Sequence, residues 1–135
     1  MSGAQRPDLT RRRLGALAGG VLLVALAGCG RSKGKTQPVP AGSTVLALGD
    51  SLTYGTGASA ETSYPTVLAG LTGWQVVNAG VPGDTSAQAL ARLPDLLAEH
   101  SPKLVIVSIG GNDFLRKQPE SDTRANVHAI CKQAL

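Results

Sequence analysis

Three short apolar runs, each closed by a glycine-rich polar cluster, constrain the fold of this chain more than any other feature. Thr44-Val45-Leu46-Ala47-Leu48 runs into Gly49-Asp50-Ser51-Leu52, and Trp74 to Val77 runs into Asn78-Ala79-Gly80-Val81-Pro82-Gly83-Asp84. The strongly β-branched run Leu104-Val105-Ile106-Val107-Ser108-Ile109 leads into Gly110-Gly111-Asn112-Asp113. Continuous apolar runs of this length, bounded by turn residues, suit strands buried on both faces of a parallel sheet. Helical patterns separate them. Ser63 to Leu71 reads as a short helix, with Ser63 at its N-cap and Pro65 in its first turn. Ser86 to His100 carries Leu90, Leu93 and Leu97 at helical spacing, and Pro94 is expected to break it into two segments. Thr123 to Leu135 is expected to be helical, with Ala125, Ile130 and Ala134 facing inward. Alternating strands and helices imply an α/β fold, a three-layer α/β/α sandwich around a parallel sheet. Such sheets bind ligands beyond the carboxyl ends of their strands. The three polar clusters are therefore expected to converge on one edge.

The N-terminal part has a different character. Arg11-Arg12-Arg13 precedes a 13-residue apolar run, Leu14 to Leu26, which ends in Leu26-Ala27-Gly28-Cys29. A membrane-spanning helix needs about 20 apolar residues, so the run reads as a secretion signal rather than a span. Charge, apolar run and small residues before a cysteine follow one another in the order of a bacterial lipobox, in which the cysteine becomes the acylated first residue. The alternative is a buried helix ending in a glycine-flanked cysteine. Thr10-Arg11-Arg12-Arg13-Leu14 also resembles a twin-arginine export signal. The expected division is a lipoprotein signal over 1–28, lipidated Cys29 and a flexible tether over 29–42, and a folded domain over 43–135. The tether is rich in Pro and Gly and lacks periodicity. Cys29 would hold the chain to the periplasmic face of a bacterial membrane. Gly30 is not the Asp associated with inner-membrane retention, so the outer membrane is preferred. With Cys29 acylated, Cys131 has no partner and no structural disulfide is expected.

The formal charge of +4 invites a nucleic-acid partner, but its distribution removes that reading. Residues 1–28 hold a net charge of +3, from four arginines against Asp8, whereas residues 29–135 carry nine basic and eight acidic side chains. With only four aromatic residues, no basic stripe with stacking rings exists. A nucleotide-binding loop is also excluded: Gly49 and Gly55 follow a strand, but neither Gly-Lys-Ser/Thr nor Gly-x-Gly-x-x-Gly is present. A metal-dependent phosphoesterase would need several His and Asp ligands, and the two histidines, His100 and His128, are wrongly spaced for it.

Each polar cluster offers one group of chemical interest and one bland alternative. Ser51 stands at a strand-to-helix turn, where free N–H groups and the helix dipole favour developing negative charge. Unaided, its hydroxyl is a weak nucleophile, and a serine there can simply cap the helix. Gly83 can adopt positive φ and aim its N–H at a substrate, or serve an ordinary turn after Pro82. The Asn112 side-chain amide can donate to an oxyanion, worth roughly 10²–10³ in rate when well aimed. It can equally hold a tight turn.

Taken together and in order, the clusters resemble the GDSL (SGNH) family of hydrolases. Gly49-Asp50-Ser51-Leu52 resembles that family's first block, Asn78 to Gly83 with Asp84-Thr85-Ser86 its second, and Gly110-Gly111-Asn112-Asp113 its third. Gly83-Asp84-Thr85-Ser86 and Ala91-Arg92-Leu93-Pro94 look typical of its bacterial arylesterase and acyl-CoA thioesterase/lysophospholipase branch. The resemblance covers residues 44–135. It implies a flavodoxin-like sandwich, Ser51 as nucleophile, and an oxyanion hole formed by the N–H groups of Ser51 and Gly83 with the Asn112 side chain. It also implies that Asp50 and Asp113 fix their loops. Substrates would be small carboxylic esters or thioesters, handled by a monomer without metal or organic cofactor.

One departure is as informative as the match. The family's last motif, Asp-x-x-His, supplies the base and its orienter. His100 has Leu97 three residues before it, and His128 has Ala125. Both histidines read as exposed helix residues. The family sheet has five strands where this chain offers three. The expectation is an SGNH domain incomplete at its C-terminus, with little or no esterase activity and an open edge on the third strand that invites aggregation. The rival reading is a non-catalytic lipoprotein that keeps the acyl-binding loops and lacks the base.

Overall fold

The computed structural model describes residues 37–135; the expected signal over 1–28, Cys29 and most of the tether lie outside the described residues. Three parallel strands form one sheet: β1 (Thr44–Gly49), β2 (Gln75–Gly80) and β3 (Leu104–Ser108), in the order β2-β1-β3. β1 is central, and Val45 through Leu48 are fully buried. The register aligns Leu46 with Val77 and Val105, and Leu48 with Ala79 and Val107. Side chains alternate across a strand, so these residues share one face. Against it pack Ala89 and Leu93 of α3 (Ser86–His100) and Ile130 of α5 (Glu120–Gln133). Two further helices, α1 (Ser51–Tyr54) and α2 (Tyr64–Thr72), lie against β1 and β2, and the one-turn α4 (Gly111–Leu115) follows β3. This is the α/β architecture expected of the alternating pattern.

The element limits shift where local bonding overrules composition. β2 starts at Gln75 because Gly73 ends α2 in the left-handed region (φ 70°) and the Trp74 N–H bonds to Thr72 Oγ1 at 3.2 Å. It runs past Asn78 to Gly80, since the ladder to β1 continues to Gly49. α5 starts at Glu120, three residues earlier than expected. Its buried or half-buried residues include Thr123, Asn126, Val127, Ala129 and Ile130, and the C-cap Ala134 is half-buried as expected, whereas Ala125 is exposed, contrary to expectation. Helical geometry accounts for this: Ala125 is five residues from Ile130, about 140° round the helix.

Pro94 does not break α3, which is continuous over its 15 residues. The helix is fixed at both ends. Thr85 and Gln88 form a reciprocal capping box, and Ser101 closes the other end in the left-handed region. Ala89 and Leu93 are fully buried on its inner face, while Pro94 lies on the exposed side. Packing of that inner face outweighs a lost backbone bond. Removing the ring should restore the bond to Leu90, offset in part by the freer unfolded chain. Pro94→Ala is therefore expected to stabilise the domain by about 1–2 kcal/mol in urea titration. A destabilised variant would mean that the proline is required by the packing.

β3 is the sheet's edge among the described residues, and a groove of about 410 Å³ runs beside it, lined by Leu104, Val105, Val107, Cys131 and Ala134. Cys131 is exposed and has no disulfide partner among the described residues.

Candidate active site

The strand order fixes where a site can lie. From β1 the chain moves to one neighbour, β2, and then crosses to the other, β3. The direction of winding reverses at β1, which leaves a crevice at the carboxyl ends of the strands. Ser51 follows β1 and Asn112 follows β3, and both line one pocket of about 240 Å³ with Asp50, Leu52, Gly111 and Leu115.

Two glycines let α1 settle over the strand ends. A Cβ on Gly80 would lie 2.1 Å from the Tyr54 nitrogen, and one on Gly49 would lie 2.0 Å from Thr53 Oγ1. Asp50, not Ser51, caps α1: its carboxylate accepts the Leu52 N–H at 3.0 Å. The capping alternative for Ser51 therefore does not describe this turn. Among the described residues, the Ser51 hydroxyl has no hydrogen-bond partner, and the N–H groups of Ser51 and Gly83 donate to no protein acceptor. Gly83 has φ 85°, the positive region anticipated for it. The Asn112 Nδ2 donates to the Asp84 carbonyl at 2.9 Å, which joins the third cluster to the second next to Gly83. Its other amide hydrogen remains free for a ligand.

Arginines bind the loops together, and sequence reasoning assigned them no role. Arg92 donates through Nε to Asp84 Oδ2 at 2.8 Å and through Nη2 to the Gly49 carbonyl at 3.0 Å. One guanidinium thus ties the second cluster to the end of β1. Arg116 donates through Nη2 to the Gly83 carbonyl at 2.7 Å. No spacing rule reveals these bonds: Asp84 lies before the N-cap of α3, and Gly49 is 43 residues from Arg92 in sequence.

Asp113 has the loop-fixing role that the resemblance implied. Its carboxylate accepts the Ser86 N–H at 2.8 Å, the Ser86 hydroxyl, and the Thr123 hydroxyl at 3.3 Å. Asn126 in turn donates to Ser86 Oγ at 3.0 Å. The N-terminus of α3 is thereby clamped to α4 and α5. Burial opposes the charge on Asp113, but the Ser86 hydroxyl and N–H, its own backbone N–H and the Thr123 hydroxyl outweigh it, so its pKa lies below the ordinary value of 3.8.

Neither histidine lines the Ser51 pocket. His100 ends α3, a helix about 22 Å long that starts beside the site. It is half-buried rather than exposed and lies 3.7 Å from Glu99. His128 is exposed on α5. Among the described residues, no group of three His, Cys, Asp or Glu side chains is placed to hold a metal.

A parallel sheet with a serine-centred crevice at its switch point defines a class of α/β proteins. Residues 47–135 match the GDSL-like Lipase/Acylhydrolase family, and the chain belongs to that family. It is 46% identical over 94 residues to the thioesterase 1/protease 1/lysophospholipase L1 of Escherichia coli (strain K12), covering 67% of this chain and 44% of that protein. It is 42% identical over 88 residues to an arylesterase of Vibrio mimicus, covering 62% of this chain and 44% of the relative. The crystal structure of TesA superposes with a TM-score of 0.66 at 37% identity, covering 68% of this chain and 54% of that one. The chain thus spans under half the length of these two curated relatives.

The Asp113 clamp makes a testable statement about acid stability. A carboxyl whose folded pKa is lowered stabilises the fold fully above its unfolded value, and that stability is lost as pH falls through the folded value. Urea midpoints should therefore decline as pH falls from 5 through the ordinary value of 3.8 and below. Asp113→Asn should be less stable at pH 6 and show a flatter acid limb. Equal slopes in the two proteins would place the acid sensitivity elsewhere.

Proposed function

We propose that this chain is the nucleophile-bearing part of a serine ester hydrolase acting on carboxylic esters or thioesters. The observation that carries the proposal is the shared pocket of Ser51 and Asn112, with N–H groups on Ser51 and Gly83 that have no acceptor among the described residues. In this reading Ser51 Oγ bonds to the acyl carbonyl carbon and gives its proton to a base. The carbonyl oxygen becomes an oxyanion held by the N–H of Ser51, the N–H of Gly83 and the Asn112 amide. Collapse expels the alcohol or thiol with a proton and leaves an acyl-serine. Water then adds to that ester, and the acid departs as Ser51 regains its proton. The names of the relatives, esterase, thioesterase and lysophospholipase, support the substrate class.

The base is not one of the described histidines, which favours a second reading of the 135 residues alone: a lipoprotein domain that binds esters without turning them over. Reading the gene past codon 135 and assaying the product of the whole open frame separates the two. The first reading expects an Asp-x-x-His in that frame and turnover of an aryl butyrate. Ser51→Ala should then cost roughly 10⁶ in kcat, as in the subtilisin example, and Asn112→Ala roughly 10²–10³. A stop directly after Leu135, or turnover indifferent to Ser51→Ala, would sink it. The 135-residue chain alone should show at most the small residual rate that oxyanion donors give without a base.

The same proposal extends to location. Residues 1–28 act as an export signal and Cys29 carries the lipid, so that a monomeric domain works at the periplasmic face, with the outer membrane preferred. The order Arg11–Arg13, Leu14 to Leu26, then Ala27-Gly28-Cys29 supports this. Metabolic labelling with a clickable fatty acid should mark the protein and fail in Cys29→Ala. Retained label in that variant would overturn the anchor.

A further inference from the structure

The mouth of the Ser51 pocket is unusual in what it leaves exposed. Leu115 and Leu52 both line the pocket and are 75% and 69% exposed; Phe114, next to Leu115 on α4, is 83% exposed and lines a neighbouring groove with Gly110, Gln118, Glu120 and Thr123. Single exposed apolar residues are ordinary on protein surfaces, whereas a cluster of large ones beside a site marks a contact surface. The next two residues are cations, Arg116 and Lys117, both exposed. Arg116 spends one donor on the Gly83 carbonyl and keeps the rest of its guanidinium free. Lys117 takes a left-handed φ of 54°, and the turn is held by bonds from the Lys117 N–H to the Phe114 carbonyl and from the Gln118 N–H to the Asp113 carbonyl. The tip is therefore a tight turn that presents two apolar side chains and two positive charges. The two carboxylates that flank the tip in sequence are both engaged: Asp113 is buried and bonded to Ser86 and Thr123, and Glu120 is paired with Arg124 at 2.8 Å.

We propose that the Phe114–Lys117 tip, with Leu52, docks the Ser51 pocket onto an anionic lipid bilayer. Apolar side chains enter the acyl boundary while adjacent lysine and arginine remain among acidic headgroups, the arrangement that gives interfacial binding its strength and lipid selectivity. A protein partner would bury apolar residues without needing the two cations at its edge. Docking in this orientation turns the pocket, rather than the opposite end of the sheet, toward the lipid. The proposal stands apart from the catalytic reading, because docking involves no reaction at Ser51.

The test uses the full chain on vesicles and reads two positions, so that insertion of any other segment is not mistaken for docking. Phe114→Trp reports on the tip. Leu71→Trp reports on the opposite sheet edge: Leu71 is 81% exposed and lies just before β2, at the amino ends of the parallel strands. Trp74 is common to both. On vesicles of phosphatidylcholine with phosphatidylglycerol, Phe114→Trp should shift its emission to the blue and be quenched by brominated acyl chains, and Leu71→Trp should do neither. Lys117→Ser should lower the docked-to-free ratio about fivefold, and the Arg116→Ser/Lys117→Ser pair about 25-fold. Each variant's melt establishes that it is folded. Pure phosphatidylcholine vesicles should leave the tip undocked. An unshifted Phe114→Trp, an equal response at Leu71→Trp, or docking indifferent to loss of both cations would overturn the proposal.

Discussion

The close approach of α1 to the ends of β1 and β2 is the constraint on which the rest of the site depends. At both Gly49 and Gly80, even a methyl group would lie about 2 Å from atoms of Thr53 or Tyr54. Real Cβ contacts do not reach that distance, so any side chain there would push α1 off the sheet. Displacing α1 moves Ser51, its first residue, relative to Asn112, which stands on α4 after β3. The polar chemistry at this edge is thus set by two missing side chains underneath it. The glycines also explain why Thr53 is fully buried on so short a helix, with its hydroxyl bonded to the Tyr64 hydroxyl at 3.1 Å.

Steric access alone would leave three loops free to drift, and the charged groups answer that. Arg92 spans Asp84 and Gly49, Asn112 bonds the Asp84 carbonyl, and Asp113 holds the first residue of α3. Single hydrogen bonds contribute roughly 0.5–1.5 kcal/mol, somewhat more when charged. Their effect here lies in geometry as much as in energy. Arg92 and Asn112 link different clusters and Asp113 links the third cluster to α3, so the loops that carry Ser51, Gly83 and Asn112 are fixed relative to one another. Asp84 and Asp113 are only 6% and 3% exposed, and each carboxylate has donors facing it, Arg92 for the first and Ser86 and Thr123 for the second. Among the described residues, no buried side-chain polar atom lacks a partner.

Strand identity was legible in the sequence because burial on both faces leaves no alternative to a continuous apolar run, as in Val45 to Leu48. The convergence of Ser51 and Asn112 followed from the same pattern, since parallel strands place their carboxyl ends together. Helix α3 was legible and its continuity was not. Pro94 is a strong local breaker, and only the tertiary burial of Ala89 and Leu93 reveals which influence wins. Ala125 was misread for a related reason: alanine packs equally well inside or outside, so its side of the helix is set by its neighbours. The one-turn helices α1 and α4 have too few residues to show a period. Arg92 and Arg116 bond to backbone carbonyls, and a carbonyl acceptor leaves no mark on residue type. The roles of Ser51, Gly83 and Asn112 in any reaction stand on the proposal above rather than on their positions alone.

That proposal separates two parts of ester hydrolysis that are often described as one. Stabilising an oxyanion needs fixed donors, and in the proposed reading these are backbone and amide groups, which do not titrate. Activating a serine needs a base whose protonation changes during the reaction. In this chain the first requirement depends on glycine placement and the Arg92–Asp84 tie, neither of which involves His100 or His128. The second requires a histidine at Ser51, where neither of these stands. Oxyanion donors retain part of a hydrolase's rate enhancement when the triad is removed, roughly 10³–10⁴ over water in the subtilisin example. On the proposed reading, donors held by glycine placement and the Arg92–Asp84 tie would bind and polarise an acyl group whether or not a base stands at Ser51.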